Sequence, residues 1–177
     1  MFNNLKNINV YIDMDGTLTK FMYVVLSVLY TAGYFLNLPP HANVVTAVKM
    51  LTKMGVKVTV LSCYLADHPT AYEEKVSWLG KHLPGVPYIL LPCGEEKTQT
   101  VKERLGRNLT SSDILLDDHS PNVISWCRNG GRGVKLLNAV NGKGIKWHGE
   151  TVHYMDAPEK IVSTIVGVDS ASFENIA

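Results

Sequence analysis

The chain has 177 residues, 46% of them hydrophobic, which is enough for one domain with a substantial buried core. Its 17 basic and 16 acidic residues give a formal net charge of +1, so the composition excludes a net electrostatic field that would recruit long nucleic acid or an acidic membrane surface. The 3 cysteines are odd in number and irregularly spaced, and the opening MFNNLKNINV has no cationic start before an apolar signal core. We therefore expect a reducing, cytoplasmic location.

Short apolar, β-branched runs alternate with helix-like segments along the chain. The runs are apolar on both faces, as buried parallel strands are. The predicted strands are 8–13, 56–62, 86–92, 113–117 and 133–138. The first predicted helix is marked by apolar residues at helical spacing between Val44 and Leu51, with Gly55 as its C-terminal cap. The other predicted helices are 67–82 with Asp67 as N-cap, 96–105, 120–129 and one that begins near Pro158. This alternation predicts a single α/β domain over 1–177, with an open, doubly wound sheet of five parallel strands.

One connection is longer than the others. The distance from Gly16 to the second predicted strand at Val56 exceeds what one crossover helix needs, so we read residues of about 20–40 as an insert. Pro39 and Pro40 close it, because proline ends any helix before the next one begins.

The insert contains 18 residues, 21–38, without a charge, which reaches the lower limit for a membrane span. Polar residues such as Thr31 and Asn37 interrupt this stretch, and no basic cluster flanks it. We therefore favour a buried or cap helix over a membrane span.

Polar side chains follow the predicted strands. Asp13 and Asp15 end the first strand, where they would crowd two negative charges unless the chain bends after Asp13. A site that holds a cation and uses both acids would explain the pair. The others are Ser62 at the end of the second strand, Lys97 after the third, and Asp117 and Asp118 at the end of the fourth. The carboxyl ends of parallel strands meet at one crevice, and oxygen ligands suit magnesium, whereas zinc would need clustered His or Cys. The sequence predicts a site for a hard cation and a phosphate.

This order of motifs, D-x-D-G-T followed by Ser, Lys and an acid pair, resembles the haloacid-dehalogenase (HAD) superfamily. Within it, LPCGEEKTQTV (91–101), ILLDDHSPNV (114–123) and GVKLLNAVNG (133–142) resemble the 5'(3')-deoxyribonucleotidase family. The resemblance implies a HAD-like, Rossmannoid three-layer α/β/α fold in which the insert is a short helical cap. It also implies a Mg2+-dependent phosphatase.

The resemblance assigns roles to the acids. Asp13 would be the nucleophile that forms a phosphoaspartate, and Asp15 would protonate the leaving oxygen and then deprotonate the attacking water. Asp15 also favours a phosphatase over a dehalogenase, because the superfamily's dehalogenases lack this second acid. Magnesium would take Asp13, the backbone carbonyl of Asp15 and one acid of the later pair. We favour Asp118 as the direct ligand with Asp117 behind it, and the choice between the two is left open.

The remaining site residues would bind the substrate phosphate. By the same resemblance, Ser62 and the adjacent Cys63 would hold its oxygens, and Lys97 would neutralise charge between nucleophile and phosphate. Lys102, on the same predicted helix, is the fallback lysine. Lys135 and Asn138, at the end of the fifth strand, are further candidates for substrate contact.

Substrate choice in this superfamily generally comes from cap segments. Aromatic and apolar residues of the insert could stack on a base or a sugar, or pack against the core instead. They are Phe21, Met22, Tyr23, Tyr30, Tyr34 and Phe35.

The leading partner is a small phosphate ester, with deoxyribonucleoside monophosphates first. The alternatives are a HAD phosphatase of another small phosphate ester and a non-catalytic phosphate-binding or assembly module. We expect no membrane and no long nucleic acid, and a homodimer is left open.

Overall fold

A computed structural model describes residues 5–22, 24–141 and 147–167 of the chain. The protein is built around a parallel sheet of six strands in the order β3-β2-β1-β4-β5-β6. The strands are β1 (Asn9–Ile12), β2 (Lys57–Tyr64), β3 (Tyr88–Pro92), β4 (Asp113–Asp117), β5 (Arg132–Leu137) and β6 (Glu150–His153). The helices are α1 (Leu26–Leu29), α2 (Ala42–Lys53), α3 (Ala71–His82), α4 (Lys97–Leu105), α5 (Ser120–Arg128) and α6 (Pro158–Val166), preceded by a 3-10 turn at Leu5–Asn7.

The helices cover both faces of the sheet. On one face, α2, α3 and α6 pack against a cluster that includes Ile12 and Val60. On the other face, α4 and α5 cover a second cluster, in which the Trp126 ring lies 5.1 Å from the Tyr11 ring between centroids. The three-layer α/β/α fold predicted from the sequence is therefore confirmed.

The predicted number of five strands was wrong, because β6 adds a sixth at the edge of the sheet. β6 pairs in parallel with β5, and within its sequence ETVH only Val152 is buried. An edge strand has a partner on one side only, so it can fold without the apolar run that marks the inner strands. This strand therefore left no clear signal in the sequence.

The predicted start of α3 was also wrong. The helix begins at Ala71, with Thr70 rather than Asp67 at its N-cap. Residues 65–70 form a turn in which the Thr70 N–H donates to His68 Nδ1 at 3.1 Å. Asp67 instead accepts a hydrogen bond of 2.6 Å from the Tyr30 hydroxyl. A tertiary contact with the insert thus replaces the expected capping role.

In its described residues, the long connection between β1 and α2 contains one short helix, α1, followed by turns. Phe35 and Leu38 are buried against Ala71 of α3. The Glu74 carboxylate accepts backbone N–H groups of Gly33, at 2.7 Å, and Phe35, at 3.0 Å. These contacts fasten the connection to α3. Among the residues that the structure describes, no helix has the length and apolar character to cross a membrane.

Candidate active site

The chain turns sharply after β1 and brings its acids beside the end of β4. The Asp13 N–H donates to the Leu116 carbonyl at 2.9 Å, which holds Asp13 next to the end of β4. Gly16 then adopts a φ of +82°, which glycine tolerates best. A Cβ atom at position 16 would collide with the Asp118 carboxylate. Glycine therefore permits both the turn and the close approach of the two loops.

Three carboxylates meet at this point. Asp13, Asp117 and Asp118 each offer one oxygen, and the three oxygens lie within 4.8 Å of one another. Lys97, the first residue of α4, donates to Asp13 Oδ1 at 2.5 Å and to Asp117 Oδ2 at 2.7 Å. The structure therefore brings together three acids and the lysine that the sequence placed at separate strand ends.

The cluster carries more negative charge than Lys97 balances. Burial alone would lower the pKa of Lys97, but the neighbouring Asp117 and Asp13 outweigh it and raise that pKa. Burial, and then the charges of Asp13 and Asp117, raise the pKa of Asp118 to about 7. Burial also raises the pKa of Asp117. A site of oxygen donors with unbalanced negative charge fits a hard divalent cation such as magnesium.

Asp117 and Asp118, at the end of β4, differ in how many hydrogen bonds their carboxylate oxygens already accept. Asp117 accepts hydrogen bonds from Lys97, from the Asn122 amide at 2.9 Å and from the His119 N–H at 2.8 Å. Asp118 is less buried, and its Oδ2 accepts a hydrogen bond of 2.9 Å from Asn138. Asp118 therefore has more lone-pair capacity left for a metal, and its role as the direct ligand stays a prediction.

Asp15 lies beside this cluster and has a different partner. Its Oδ2 accepts a hydrogen bond from the ammonium of Lys75, on α3. Its Oδ1 is buried and has no hydrogen-bond partner among the described residues. Burial raises the pKa of Asp15, while Lys75 opposes that shift.

β2 extends two residues beyond the predicted end at Ser62, so Ser62 and Cys63 both lie within it. The Ser62 side chain is buried, and both residues line the cavity that contains the acids. The Cys63 thiol donates a hydrogen bond to the Cys93 sulfur, which raises the pKa of Cys63 and lowers that of Cys93 to about 7.

The acids line a cavity of about 480 Å³. Its lining comprises Asp13, Asp15, Phe21, Ser62, Cys63, Lys97, Asp117, Asp118, His119, Ser120, Asn122, Val140 and Asn141. Phe21 is the insert residue in this lining, and Tyr34 packs against it with 6.5 Å between ring centroids. Tyr23 lies outside the described residues.

Three other candidates from the sequence have different surroundings. Lys102 donates to Asn129 at 3.2 Å, so it pairs with the end of α5. Lys135 is buried and donates to the Ser120 hydroxyl at 2.7 Å, under the start of α5. Neither lysine lines the cavity. Asn138 reaches the site through its hydrogen bond to Asp118.

Residues 24–149, more than two thirds of the chain, match the family model described as "5' nucleotidase, deoxy (Pyrimidine), cytosolic type C protein". The chain belongs to this family. The part of the chain that matches the nucleotidase family contains Ser62, Lys97, Asp117 and Asp118 and begins after Asp15.

Curated relatives carry related names. The chain is 30% identical over 91 residues to a "Putative 5'(3')-deoxyribonucleotidase" of Bordetella bronchiseptica and to one of the same name from Bordetella pertussis. In both cases the aligned segment covers 51% of this chain and 44% of the relative. The match thus spans less than half the length of these relatives.

Solved structures share the fold at low sequence identity. D,D-heptose 1,7-bisphosphate phosphatase from B. bronchiseptica, complexed with magnesium and phosphate, superimposes with a TM-score of 0.66 and 11% identity over 88% of this chain and 98% of that one. The corresponding enzyme from Burkholderia thailandensis gives 0.59 and 13%, over 82% and 91%. The fold of this nucleotidase-family chain is therefore HAD-like.

The sequence analysis missed Lys75. A helical lysine is usually read as part of a solvated face, yet the side chain of Lys75 has 0% exposure. A signal was present, because position 75 falls on the same helical stripe as the buried Ala71 and Trp78. A lysine within an apolar stripe indicates a buried charge that needs a partner.

Proposed function

We propose that the chain is a magnesium-dependent phosphomonoester hydrolase of the 5'(3')-deoxyribonucleotidase type, working through a phosphoaspartate at Asp13. One observation carries this proposal. The cluster of three carboxylates and Lys97 lines the same cavity as a fourth acid, Asp15. The Oδ1 atom of Asp15 has no hydrogen-bond partner among the described residues. A nucleophile and a separate proton donor are the two groups that hydrolysis through a covalent intermediate needs.

The residues support a two-step reaction. A carboxylate oxygen of Asp13 forms a bond to phosphorus while the bond to the leaving oxygen breaks, and Asp15 gives that oxygen its proton. Water then attacks the phosphoaspartate, Asp15 takes the proton back, and Asp13 and inorganic phosphate are released. The net reaction is phosphate ester plus water to alcohol plus phosphate.

The rest of the site orients the phosphate and offsets charge. Ser62 offers a hydroxyl at the cavity wall, and Lys97 provides a fixed positive charge beside Asp13. A magnesium ion held by Asp13, the Asp15 carbonyl and Asp118 would supply positive charge that offsets the carboxylates and the phosphate oxygens.

The experiment is a panel of phosphomonoesters, with release of inorganic phosphate measured in magnesium and after exhaustive chelation. The panel contains deoxyribonucleoside 5'- and 3'-monophosphates, ribonucleotides, sugar phosphates and 4-nitrophenyl phosphate. We expect turnover that needs magnesium and is highest with deoxyribonucleotides. Full activity in chelator would contradict the metal site, and no release from any ester would contradict the hydrolase.

A second candidate is a phosphatase of another small phosphate ester. Within the described part of the insert, Phe21 alone lines the cavity, which offers few contacts for selecting a nucleoside. Equal rates on nucleotides and sugar phosphates would favour this candidate.

The third candidate is the assembly module. Met22, Val25 and Leu26 are each more than 60% exposed, which would suit a protein partner or a homodimer. We propose a cytoplasmic location for all three candidates, supported by the word "cytosolic" in the family description.

A further inference from the structure

We propose that Lys75 is a positioning residue for Asp15: it holds one carboxylate oxygen so that the other oxygen is the one that transfers the proton. This inference rests on the proposed hydrolase function. Nothing in the sequence motifs or in the family description assigns a role to this lysine.

The ammonium of Lys75 donates three hydrogen bonds to residues around the site. It donates to Asp15 Oδ2, to the Cys63 carbonyl at 2.5 Å and, more weakly, to the Ser62 hydroxyl at 3.4 Å. An ammonium has three N–H donors and no acceptor. The three acceptors therefore account for its whole hydrogen-bonding capacity and fix its orientation.

This donor-only character decides which oxygen of Asp15 can carry a proton. Because Lys75 can only donate, Asp15 Oδ2 must remain an acceptor while the pair is intact. A transferable proton then belongs on Oδ1. That oxygen is buried and unpartnered among the described residues, and Asp15 lines the reaction cavity. In this proposal Oδ1 is the oxygen that meets the leaving group of the substrate, on the side where Asp15 lines the cavity.

The surroundings of Lys75 keep it in place. Its ammonium lies 5.1 Å from the centroid of the Phe35 ring, within the range of a cation–π contact. The preceding residue, Glu74, holds the backbone of Gly33 and Phe35 through its carboxylate. Two consecutive residues of α3 therefore make both contacts: Glu74 binds the backbone of the insert, and Lys75 binds Asp15.

The two buried lysines at the site have separate tasks in this arrangement. Lys97 contacts Asp13 and Asp117, the nucleophile and a neighbour of the metal site. Lys75 contacts the proton-transfer acid instead. Loss of Lys75 should therefore affect proton transfer to the leaving group more than attack on phosphorus.

The test compares two esters that differ in their need for a proton. The leaving alkoxide of a deoxyribonucleoside 5'-monophosphate must be protonated, whereas nitrophenolate departs from 4-nitrophenyl phosphate as an anion. In Lys75→Met we expect kcat/KM for the nucleotide to fall by roughly 10²-fold or more, and kcat/KM for 4-nitrophenyl phosphate by less than about 10-fold. Lys81→Met is the matched control, because Lys81 is exposed on the same helix.

A pre-steady-state measurement adds a readout that a purely structural role would not change. The second step needs Asp15 to accept a proton from water, so a misplaced Asp15 should let the phosphoaspartate accumulate. Lys75→Met should release a burst of nitrophenolate close to one per enzyme, larger than the burst of the unaltered protein. Equal losses on both esters without an increased burst would overturn the positioning role.

Lys75→Leu provides a second route if the methionine variant does not fold. Leucine removes both the charge and the N–H donors, so it should show the same selective loss on the nucleotide. Equal activity of Lys75→Leu and the unaltered protein on both esters would overturn the inference. The proposed function has its own test, because it fails when the unaltered protein hydrolyses neither ester.

Discussion

The side-chain amide of Asn138 donates hydrogen bonds to Asp118 Oδ2, at 2.9 Å, and to the Gly16 carbonyl, at 2.7 Å. It therefore joins the end of β5 to both loops that carry the acids. A group that orients a metal-binding carboxylate typically contributes to metal affinity without touching the metal.

We expect Asn138→Ala to weaken magnesium binding by roughly 10–100-fold, while turnover at saturating magnesium falls less. Titration of activity with magnesium measures this. Asn108→Ala, at an exposed position, serves as the control and should leave the titration unchanged. Unchanged magnesium dependence in Asn138→Ala would contradict a role through Asp118.

The two acids after β1 should give different defects. Asp13→Asn removes the proposed nucleophile and should abolish turnover. Asp15→Asn should leave magnesium binding nearly intact but lower the rate by roughly 10²–10⁴-fold, the usual contribution of general acid–base catalysis. Rapid-quench mass spectrometry should detect phosphate on Asp13. Its persistent absence during turnover would rule out the covalent mechanism.

The two candidate lysines of α4, Lys97 and Lys102, have different partners in the structure. Lys97→Ala should lower kcat/KM on the order of 10²–10³-fold, because Lys97 is the positive charge beside Asp13, the proposed nucleophile. Lys102→Ala should change it by less than about 2-fold, since Lys102 contacts Asn129 away from the cavity. Steady-state kinetics on one substrate compares them, and a larger loss in Lys102→Ala would reverse the assignment.

Substrate preference should depend on Phe21 rather than on every aromatic of the insert. Phe21→Ala removes an aromatic face from the cavity wall, so we expect kcat/KM to fall by about 10-fold on nucleotides and much less on a simple alkyl phosphate. Tyr30→Ala is the control, because the Tyr30 hydroxyl bonds to Asp67 on the surface. Equal losses on all esters in Phe21→Ala would indicate a packing role.

Stability without metal should depend on pH through Asp118. Its pKa is raised in the folded protein from 3.8 to about 7, so between these values the native state binds the proton more tightly than the unfolded state. The free energy of unfolding should therefore decrease as pH rises through this window. We expect Tm in chelator to fall as pH rises from about 5 to about 8, and Asp118→Asn to flatten this dependence.

Asp113, at the opposite end of β4, gives the matched contrast. It is buried, and its pKa is lowered to about 2: burial would raise it, but Arg107, Asn9 and Thr110 donate hydrogen bonds that outweigh burial. Its stabilising contribution is present above its ordinary pKa of 3.8 and is lost as pH falls towards about 2. Asp113→Asn should therefore lower Tm at neutral pH, whereas Asp118→Asn should raise it in chelator.

The sequence predicted which acids and which lysine come together more completely than it predicted the strands of the sheet. Asp13, Asp117 and Lys97 follow apolar runs, and parallel strands necessarily bring such positions to one edge. The edge strand β6 gave no comparable signal, since only Val152 is buried in it. The start of α3 was misplaced because Asp67 pairs with Tyr30, a contact between distant parts of the chain that local capping preferences do not contain.

The complete burial of Lys75 has a consequence for the history of this fold. An ammonium left in the interior without its carboxylate partner costs about 3–5 kcal/mol, so Asp15 and Lys75 should be replaced together. A descendant that lost proton transfer at position 15 should carry Met, Leu or Gln at position 75. Lys97 would be free to persist in such a descendant, because Asp13 and Asp117 would still pair with it. The residue at position 75 should therefore distinguish relatives that hydrolyse phosphate esters from relatives that only bind phosphate.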